Sequence, residues 1–199
     1  MISYQNGDLP EFKEWPKIPR LNRDVVITEK IDGTNACVWV SDDGEKISAQ
    51  SRTRWITPES DNFGFARWVE GNREELSKLG PGYHFGEWWG KGVQKRHYNL
   101  DHKRFSLFNV HRWNSENVPS CVSVVPIIWS GNYKDLDLGR ILANLREGGS
   151  IASPGWMTPE GVVLFHTASG QMFKILLEGD ELPSEFTSLK ARQVAEGNS

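Results

Sequence analysis

The chain has 199 residues, 38% hydrophobic and 25% charged, which is typical of a globular protein and long enough for one domain with its own core. Its formal net charge of -3 excludes non-specific nucleic-acid binding through overall positive charge, because such binding needs clustered lysine and arginine. No apolar stretch approaches the roughly 18 residues of a membrane span, and residues 1–17 lack the apolar segment of a signal peptide. We therefore expect a single cytoplasmic domain over residues 1–199 with no membrane partner.

Runs of β-branched and aromatic residues bounded by turn residues predict a protein rich in strands. The predicted strands are 24–30, 35–41, 46–52, 83–88, 105–110, 121–129, 160–166 and 171–177. The segments SDDGEK (41–46) and HTASGQ (166–171) predict hairpin turns, because Asp-Gly and Ser-Gly tolerate positive φ. Hairpins at these positions imply antiparallel pairing of the strands that they join.

Helical signals are fewer. Residues 60–80 begin with Ser and Asp as N-cap candidates, carry apolar residues at 65, 68, 69, 76 and 79, and end at Gly80. Residues 135–149 show the same kind of pattern and end in two glycines, and a C-terminal helix is expected at about 183–195. The predicted fold class is therefore α+β, with antiparallel β-sheets flanked by helices.

The cysteines and a basic segment have less specific signals. Cys37 and Cys121 lie in apolar runs without metal-type spacing, so we expect buried thiols, and the five histidines show no spacing typical of a zinc site. The segment KGVQKRHYNLDHKR (91–104) concentrates positive charge around a tyrosine. A solvated loop and a nucleic-acid contact are both consistent with this segment.

Lys30 is unusual because it ends a predicted buried strand and is followed by Asp32 and Gly33. One interpretation is structural: the side chain extends its ammonium group to solvent at the end of the strand. The other is chemical: a rigid strand holds the amine as a nucleophile, and Gly33 lets a substrate approach the backbone. The four residues K-x-D-G alone do not decide between these interpretations.

Further motifs follow Lys30 in a fixed order. They are EKIDGTN (29–35), SRTR (51–54), FGEWWG (85–90), FSLFNV (105–110), EGVVLF (160–165) and MFKIL (172–176). In sequence and order they resemble the motifs of the covalent nucleotidyltransferases, a superfamily of DNA ligases, RNA ligases and mRNA capping enzymes. Asn35 stands where DNA ligases and capping enzymes usually have Arg, so the chain most resembles the second phage-type class of RNA ligases. Asp32 replaces the His that is usual in that class.

This resemblance implies the nucleotidyltransferase (ligase adenylation domain) fold and an ATP-dependent reaction with Mg²⁺ or Mn²⁺. Lys30 would attack the α-phosphorus of ATP as a neutral amine and form a lysyl-AMP intermediate. Lys174 and Arg52 would hold phosphate oxygens, with Arg54 as a competitor for the role of Arg52.

The resemblance also implies how the rest of the nucleotide is bound. Glu87 would accept hydrogen bonds from the ribose hydroxyls, Phe108 would stack on adenine, and Glu29 and the backbone beside it would meet the adenine edge. Glu160 would serve the metal, and Asn35 would contact phosphate or the nucleic-acid strand. Taken singly, Glu87 and Glu160 would be read as solvated carboxylates and Phe108 as a core residue.

The implied activity is an RNA ligase that joins 5'-phosphate and 3'-hydroxyl ends, acting on RNA, nicked duplexes or DNA-containing ends. The alternatives are AMP transfer to another acceptor, such as nicked DNA or a small phosphorylated molecule, and a non-catalytic nucleotide- or RNA-binding module.

Two features depart from the family pattern. The last motif has one lysine where ligases usually have a Lys-x-Lys pair, with Met172 and Leu176 at the pair spacing. Only 25 residues follow Lys174, so we expect no OB or other C-terminal domain, and a partner protein could supply one.

Overall fold

A computed structural model describes residues 10–179, which form two β-sheets, three α-helices and one short 3-10 turn. The strands are β1 (Asp24–Lys30), β2 (Thr34–Val40), β3 (Ile47–Ser51), β4 (Trp55–Ile56), β5 (Gly82–Gly90), β6 (Lys103–Leu107), β7 (Ser123–Val124), β8 (Ile127–Asn132), β9 (Gly161–His166) and β10 (Gln171–Leu176). The helices are α1 (Phe65–Gly71), α2 (Arg73–Ser77) and α3 (Leu138–Gly148), and the 3-10 turn is Tyr133–Asp135.

The strands divide between a four-stranded sheet A, in the order β10-β9-β1-β8, and a six-stranded sheet B, in the order β4-β3-β2-β5-β6-β7. All neighbouring pairs are antiparallel except β6 and β7, which are parallel. The predicted hairpins between β2 and β3 and between β9 and β10 are both present. The predicted α+β class is therefore confirmed.

Each sheet buries one face against helices, because side chains alternate between the two faces of a strand. In sheet A, Val25 and Ile27 of β1 pack with Val162 of β9 and Ile141 of α3. In sheet B, alternate residues of β2, β3 and β5 pack against Phe65 of α1 and the residues around it. The remaining face of each sheet is left to form the cleft described below.

A third apolar cluster joins the two sheets at the end of β1. It contains Ile31, Trp89, Tyr98 and Val125. A second link lies further along sheet A, where the His111 ring meets the Phe165 ring of β9 edge to face at a centroid distance of 6.0 Å. These contacts fix the separation of the two sheets on either side of the cleft.

Two sequence-based boundaries are wrong. The predicted helix over 60–80 is divided into α1 and α2 at Asn72, which has φ -120° and ψ 19° and follows Gly71. The predicted strand 121–129 is also divided: β7 joins sheet B, and β8 joins sheet A. Pro126 lies at the crossover, where a residue without a backbone N–H interrupts the ladder and its carbonyl accepts from the Glu29 N–H at 3.0 Å.

The other expectations have mixed outcomes. Cys37 is a buried free thiol as expected, whereas Cys121 is only half-buried. The expected helix at 183–195 lies outside the described residues. Within residues 10–179, no helix has the length and hydropathy required to cross a membrane.

Candidate active site

Lys30 lies at the end of β1 with its side chain in the cleft, where its Nζ donates a hydrogen bond of 2.7 Å to Glu160 Oε2. The strand register produces this contact, because Lys30 pairs with Gly161 and Glu160 immediately precedes that residue. Gly161 has φ 155°, and a Cβ there would lie 2.1 Å from the Ile175 carbonyl oxygen. Only glycine fits at this position, so the glycine after Glu160 is required for the approach of β10 to the end of β9.

Glu87 of β5 lies beside this ion pair and opposite Asn35 in the ladder between β2 and β5. Burial is the main reason that the pKa of its carboxyl rises to about 7, and the negative charges of Glu160 and Asp32 raise it further. The Lys30 ammonium and the Gly33 N–H act in the opposite direction. Glu160 and Asp32 are paired with Lys30 and Arg96, so ionisation of Glu87 adds a negative charge without its own cation, which favours binding of a further cation.

Gly33 brings the turn after Lys30 against β5. A Cβ at this position would lie 2.4 Å from the Trp88 carbonyl oxygen and 2.8 Å from the Trp89 Cβ. Its role in this structure is therefore close packing between the turn and β5, rather than the approach of a substrate to the backbone. This packing places Lys30 next to Glu87, two residues that are far apart in the sequence.

A pocket of about 190 Å³ opens on the cleft face of sheet B. Its lining consists of Asn35, Ala36, Cys37, Gln50, Ser51, Arg52, Phe85 and Phe108. Three predicted nucleotide-binding residues, Asn35, Arg52 and Phe108, are therefore brought together. Sequence reasoning did not select Phe85, Cys37 or Gln50, although they occupy the alternate positions of β5, β2 and β3 that face away from the core.

The surroundings of the pocket distinguish Arg52 from Arg54, the two candidates for contact with phosphate. Arg52 is exposed at its edge, whereas Arg54 donates to the Ser60 carbonyl at 2.9 Å and to the Ser60 hydroxyl at 3.0 Å. The Arg54 guanidinium is thus held by its own loop, which favours Arg52 for contact with phosphate. Burial raises the pKa of the Cys37 thiol to about 11, so this thiol is protonated at neutral pH and does not act as a nucleophile.

Lys174 shares the cleft face of sheet A with Lys30 but does not touch it. It pairs with Val163 of β9, which in turn pairs with Thr28 of β1, two residues before Lys30. Paired residues point to the same face, and two strand spacings separate Lys174 from Thr28 by about 10 Å. The exposed Lys174 can therefore reach an extended ligand that also contacts Lys30.

Glu29 is the one predicted site residue whose side chain points away from the cleft. Its buried carboxylate accepts bonds from the Ser150 hydroxyl at 2.5 Å and from the Ile151 and Ala152 N–H groups, both at 2.8 Å. This places the carboxylate on the α3 side of sheet A, and the expected contact of Glu29 and the backbone beside it with the adenine edge stays a prediction. A cavity of about 500 Å³ on the same side, lined in part by Ser150, Ile151 and Arg140, contains none of the predicted site residues.

The basic segment 91–104 turns out to be partly structural. Arg96 Nη1 donates to Asp32 Oδ2 at 2.9 Å, and Arg96 Nε donates to the Thr158 carbonyl at 3.2 Å. The buried Tyr98 accepts the Asp32 N–H at its hydroxyl, at 2.6 Å. Arg96 and Tyr98 therefore fasten the turn after Lys30, and Arg96 also reaches the segment before Glu160. The sequence signal for Arg96 was the charge cluster itself, which does not reveal an internal partner.

The carboxylates of the cleft do not form a complete metal cage. Among residues 10–179, no group of three or more His, Cys, Asp or Glu side chains is arranged to hold a metal ion. A hard divalent cation such as Mg²⁺ commonly uses only one or two carboxylates together with water and phosphate oxygens, and Glu160 and Glu87 fit that smaller donor set.

The fold defines the class of the protein. It resembles Naegleria gruberi RNA ligase in two mutant structures with ATP and Mn, with TM-scores of 0.57 and 0.58, sequence identities of 19% and 20%, and coverage of 78% and 79% of this chain. A mutant structure of the same ligase with AMP and Mn gives a TM-score of 0.57 at 19% identity over 78% of this chain. The protein therefore has the nucleotidyltransferase-type fold of RNA ligases. The matched regions span 49%, 51% and 50% of those chains, or about half of their length.

The sequence identifies the family within that fold class. The RNA ligase family profile matches residues 23–176, which include all the motifs described above. The chain belongs to the RNA ligase family. A search of curated proteins finds no match to the chain.

Proposed function

We propose that the protein is an ATP-dependent RNA ligase that forms a lysyl-AMP intermediate at Lys30. The observation that carries this proposal is the contact of 2.7 Å between Lys30 Nζ and Glu160 Oε2, beside Glu87 and close to the pocket that contains Asn35, Arg52 and Phe108. A surface lysine without a chemical role would have no reason to share a cleft with this set. Family membership independently supports the same activity.

The first step would join Lys30 to AMP. The Lys30 ammonium first loses a proton, and Glu160 Oε2 is placed to accept it because it already accepts a hydrogen bond from Nζ. The free electron pair on Nζ then forms a bond to the α-phosphorus of ATP, while the bond from that phosphorus to the bridging oxygen breaks and pyrophosphate leaves with the electron pair. The second amine proton passes to solvent, which leaves a phosphoramide.

Sealing would follow in two further substitutions, the first at the phosphorus of AMP and the second at the 5'-phosphorus of the RNA. An oxygen of the RNA 5'-phosphate attacks the lysyl-AMP phosphorus and releases the Lys30 amine, giving an adenylylated RNA end. The 3'-hydroxyl oxygen of the other end then attacks the RNA phosphorus, and AMP departs. The acceptor in this proposal is RNA, including nicked duplexes or DNA-containing ends.

The remaining residues would bind and orient ATP. Phe108 offers its ring to adenine in the pocket, and Glu87 accepts hydrogen bonds from ribose hydroxyls when it is ionised. Arg52, at the edge of the pocket, and Lys174, on the opposite sheet, hold phosphate oxygens, whose negative charge increases in the transition state. Asn35, opposite Glu87, contacts the phosphates or the nucleic-acid strand.

A divalent cation, Mg²⁺ or Mn²⁺, would be held by Glu160 together with the nucleotide phosphates. When bound, it would neutralise phosphate charge and act as a Lewis acid on the phosphoryl oxygens. When Glu87 is ionised, Glu160, Asp32 and Glu87 outnumber the cations Lys30 and Arg96 by one charge, which favours a cation beside the triphosphate.

The deciding experiment is covalent labelling. The protein is incubated with α-labelled ATP and Mg²⁺, and acid-labile label on the protein that pyrophosphate releases is the expected result. Lys30→Ala should carry no label, whereas Lys95→Ala, which alters an exposed lysine of the basic segment, should label normally. Labelling of Lys30→Ala, or the absence of any label on the wild-type protein, would overturn the proposal and favour a non-catalytic binding module.

The acceptor is tested next with the labelled protein. Transfer of AMP to 5'-phosphorylated RNA, followed by joining to a 3'-hydroxyl end, is expected. Transfer only to nicked DNA or to a small phosphorylated molecule would replace ligation of RNA by the alternative AMP transfer. Label that transfers but does not lead to joining would be consistent with the need for a partner protein that supplies a further domain.

A further inference from the structure

The cleft face of sheet B carries four aromatic side chains that extend from the pocket, here called the aromatic platform: Trp39, Trp55, Tyr83 and Phe85. Tyr83 and Phe85 lie on β5, four and two residues before Glu87, so they face the same side of the sheet as the active site. Trp39 pairs with Tyr83 in the β2 and β5 ladder, and Trp55 pairs with Gln50 of the pocket lining. The register alone therefore places all four rings on one face.

The rings form a continuous and exposed surface. Tyr83 and Phe85 have centroids 6.0 Å apart and ring planes within 10° of each other. The centroid of the Trp55 ring lies 6.3 Å from those of both Trp39 and Tyr83. The exposed fractions of Trp55, Tyr83 and Phe85 are 51%, 54% and 53%, which is high for aromatic residues that a folded domain could have buried in a core.

The aromatic platform is continuous with the proposed nucleotide pocket, because Phe85 belongs to both. Positive charge lies on the same side: Arg52 at the pocket edge is exposed, and Arg54 follows it in the turn before Trp55. The other end is negative, since the hairpin after Trp39 contains Asp42, Asp43 and Glu45 against one cation, Lys46. A polyanion would therefore be attracted along the Arg52 side and repelled beyond the β2–β3 hairpin.

We propose that the aromatic platform stacks the bases of single-stranded RNA next to the reacting end. Flat rings on a sheet face with cations at one edge match the two requirements of single-strand binding, which are aromatic surfaces for bases and positive charge for the backbone. Stacking uses the face that every base shares, so the surface would accept different sequences. The inference rests on the proposed function in one respect: it assumes that the strand that binds here leads towards Lys30.

Binding is measured separately from catalysis to test this inference. The Lys30→Ala variant, which cannot form lysyl-AMP, is titrated against a fluorescent single-stranded oligoribonucleotide, and anisotropy reports binding. Adding Tyr83→Ala or Trp55→Ala should each weaken binding about 10-fold, as expected for loss of one base–aromatic contact. Phe173→Ala is the matched control, because Phe173 is 54% exposed but lies on β10 of sheet A. It should bind like the parent variant.

A second ligand distinguishes base stacking from charge attraction. An oligonucleotide of the same length and charge with abasic positions should bind about 10-fold more weakly than the intact strand, and Tyr83→Ala should hardly change its affinity. A DNA strand of the same sequence is included to determine whether the sugar contributes. Equal binding of intact and abasic strands, or equal effects of Tyr83→Ala and Phe173→Ala, would overturn the inference and leave the aromatic platform as a surface for a protein partner.

The two proposals fail in different ways. If Lys30 is not adenylylated but the aromatic substitutions weaken RNA binding, the protein binds RNA without the proposed chemistry. If Lys30 is adenylylated and Tyr83→Ala and Trp55→Ala bind RNA normally, the ligase proposal stands and the aromatic platform has another role. In neither variant should adenylylation of an intact Lys30 change, because neither residue lines the pocket.

Discussion

The buried glutamates on the two sides of β1, Glu29 behind sheet A and Glu87 of β5 in the cleft, have opposite surroundings. Behind sheet A, the Glu29 carboxylate has three donors within 2.8 Å, from Ser150, Ile151 and Ala152. In the cleft, the Glu87 carboxylate is also buried, at 8% exposure, but burial and the neighbouring carboxylates raise its pKa to about 7. The two buried glutamates near Lys30 therefore differ in their surroundings. Glu29 is held by three hydrogen-bond donors, whereas Glu87 lies beside other carboxylates.

The difference indicates which region is built for stability and which for binding. A buried carboxylate with all its hydrogen bonds satisfied fixes the loop that donates them. A buried carboxylate beside other carboxylates costs stability and is retained where a ligand will supply the missing positive charge or hydrogen bonds. The strand alternation of β1 separates the two regions by a single residue, because Glu29 and Lys30 point to opposite faces.

Removal of Glu29 should produce the largest loss of stability. Glu29→Ala leaves two backbone N–H groups and the Ser150 hydroxyl without their acceptor, and we expect the free energy of unfolding to fall by about 3 kcal/mol or more. Denaturant unfolding with an unchanged slope measures this loss. Glu29→Gln, which keeps one acceptor oxygen, should lose less, and Glu147→Ala on the exposed face of α3 should change little. Equal losses in Glu29→Ala and Glu147→Ala would contradict a structural role for Glu29.

Glu87→Gln should have the opposite effect on stability. At pH 8 the Glu87 carboxyl is ionised in an unfavourable environment, so the neutral glutamine should raise the free energy of unfolding by about 1 to 3 kcal/mol. The same change weakens hydrogen bonds to the nucleotide and should slow adenylylation by about 10- to 100-fold. Single-turnover labelling and denaturant unfolding of one preparation measure both effects. A variant that is both less stable and less active would remove the contrast with Glu29.

The pH dependence of stability provides a finer test of the same residue. Between pH 4.5, the ordinary pKa of this carboxyl, and about pH 7, the folded protein holds a proton that the unfolded chain releases. Stability therefore falls as pH rises through this window, and it levels off above it as far as Glu87 is concerned. Subtracting the Glu87→Gln profile from the wild-type profile should isolate this fall. A flat difference from pH 4.5 to 7 would mean that Glu87 has an ordinary pKa.

The strands could be predicted from the sequence where one face is buried. The alternation in β1, β2 and β9 locates these strands to within a residue or so, and the Asp-Gly and Ser-Gly turns correctly predict two hairpins. The prediction of one strand over 121–129 was wrong because its apolar residues belong to two strands in different sheets. Local periodicity does not indicate which sheet a residue joins. The single helix predicted over 60–80 overlooked the turn signal of Gly71 and Asn72.

Local sequence patterns predicted less of the candidate site than of the strands. The motifs predicted Lys30, Glu160 and Glu87, and three of the residues that line the pocket. That these residues lie close together depends on the register between β1 and β9 and on the close packing of Gly33 against β5. The direction of the Glu29 side chain follows from alternation once Lys30 is placed in the cleft. Arg96 could not be found, because its partners, Asp32 and the Thr158 carbonyl, lie far away in sequence.

Substitution of Arg96 should have the smallest effect. Arg96 connects the turn after Lys30, through Asp32, to the segment before Glu160, through the Thr158 carbonyl. Its bond to Asp32 is partly exposed, so the direct energy of the pair is about 1 kcal/mol or less, and Arg96→Met should slow adenylylation of Lys30 by about 5-fold through loss of position. Arg96→Lys, which keeps the charge opposite Asp32, should recover part of the rate, and Lys95→Met on the exposed side of the segment should match wild type. In a double-mutant cycle, Asp32→Asn should add little once Arg96 is methionine, because the interaction that both changes remove is the same. Fully additive losses in single-turnover labelling would instead mean that Asp32 acts on the reaction without Arg96, and the cleft would then be organised by its own residues rather than by the segment that encloses it.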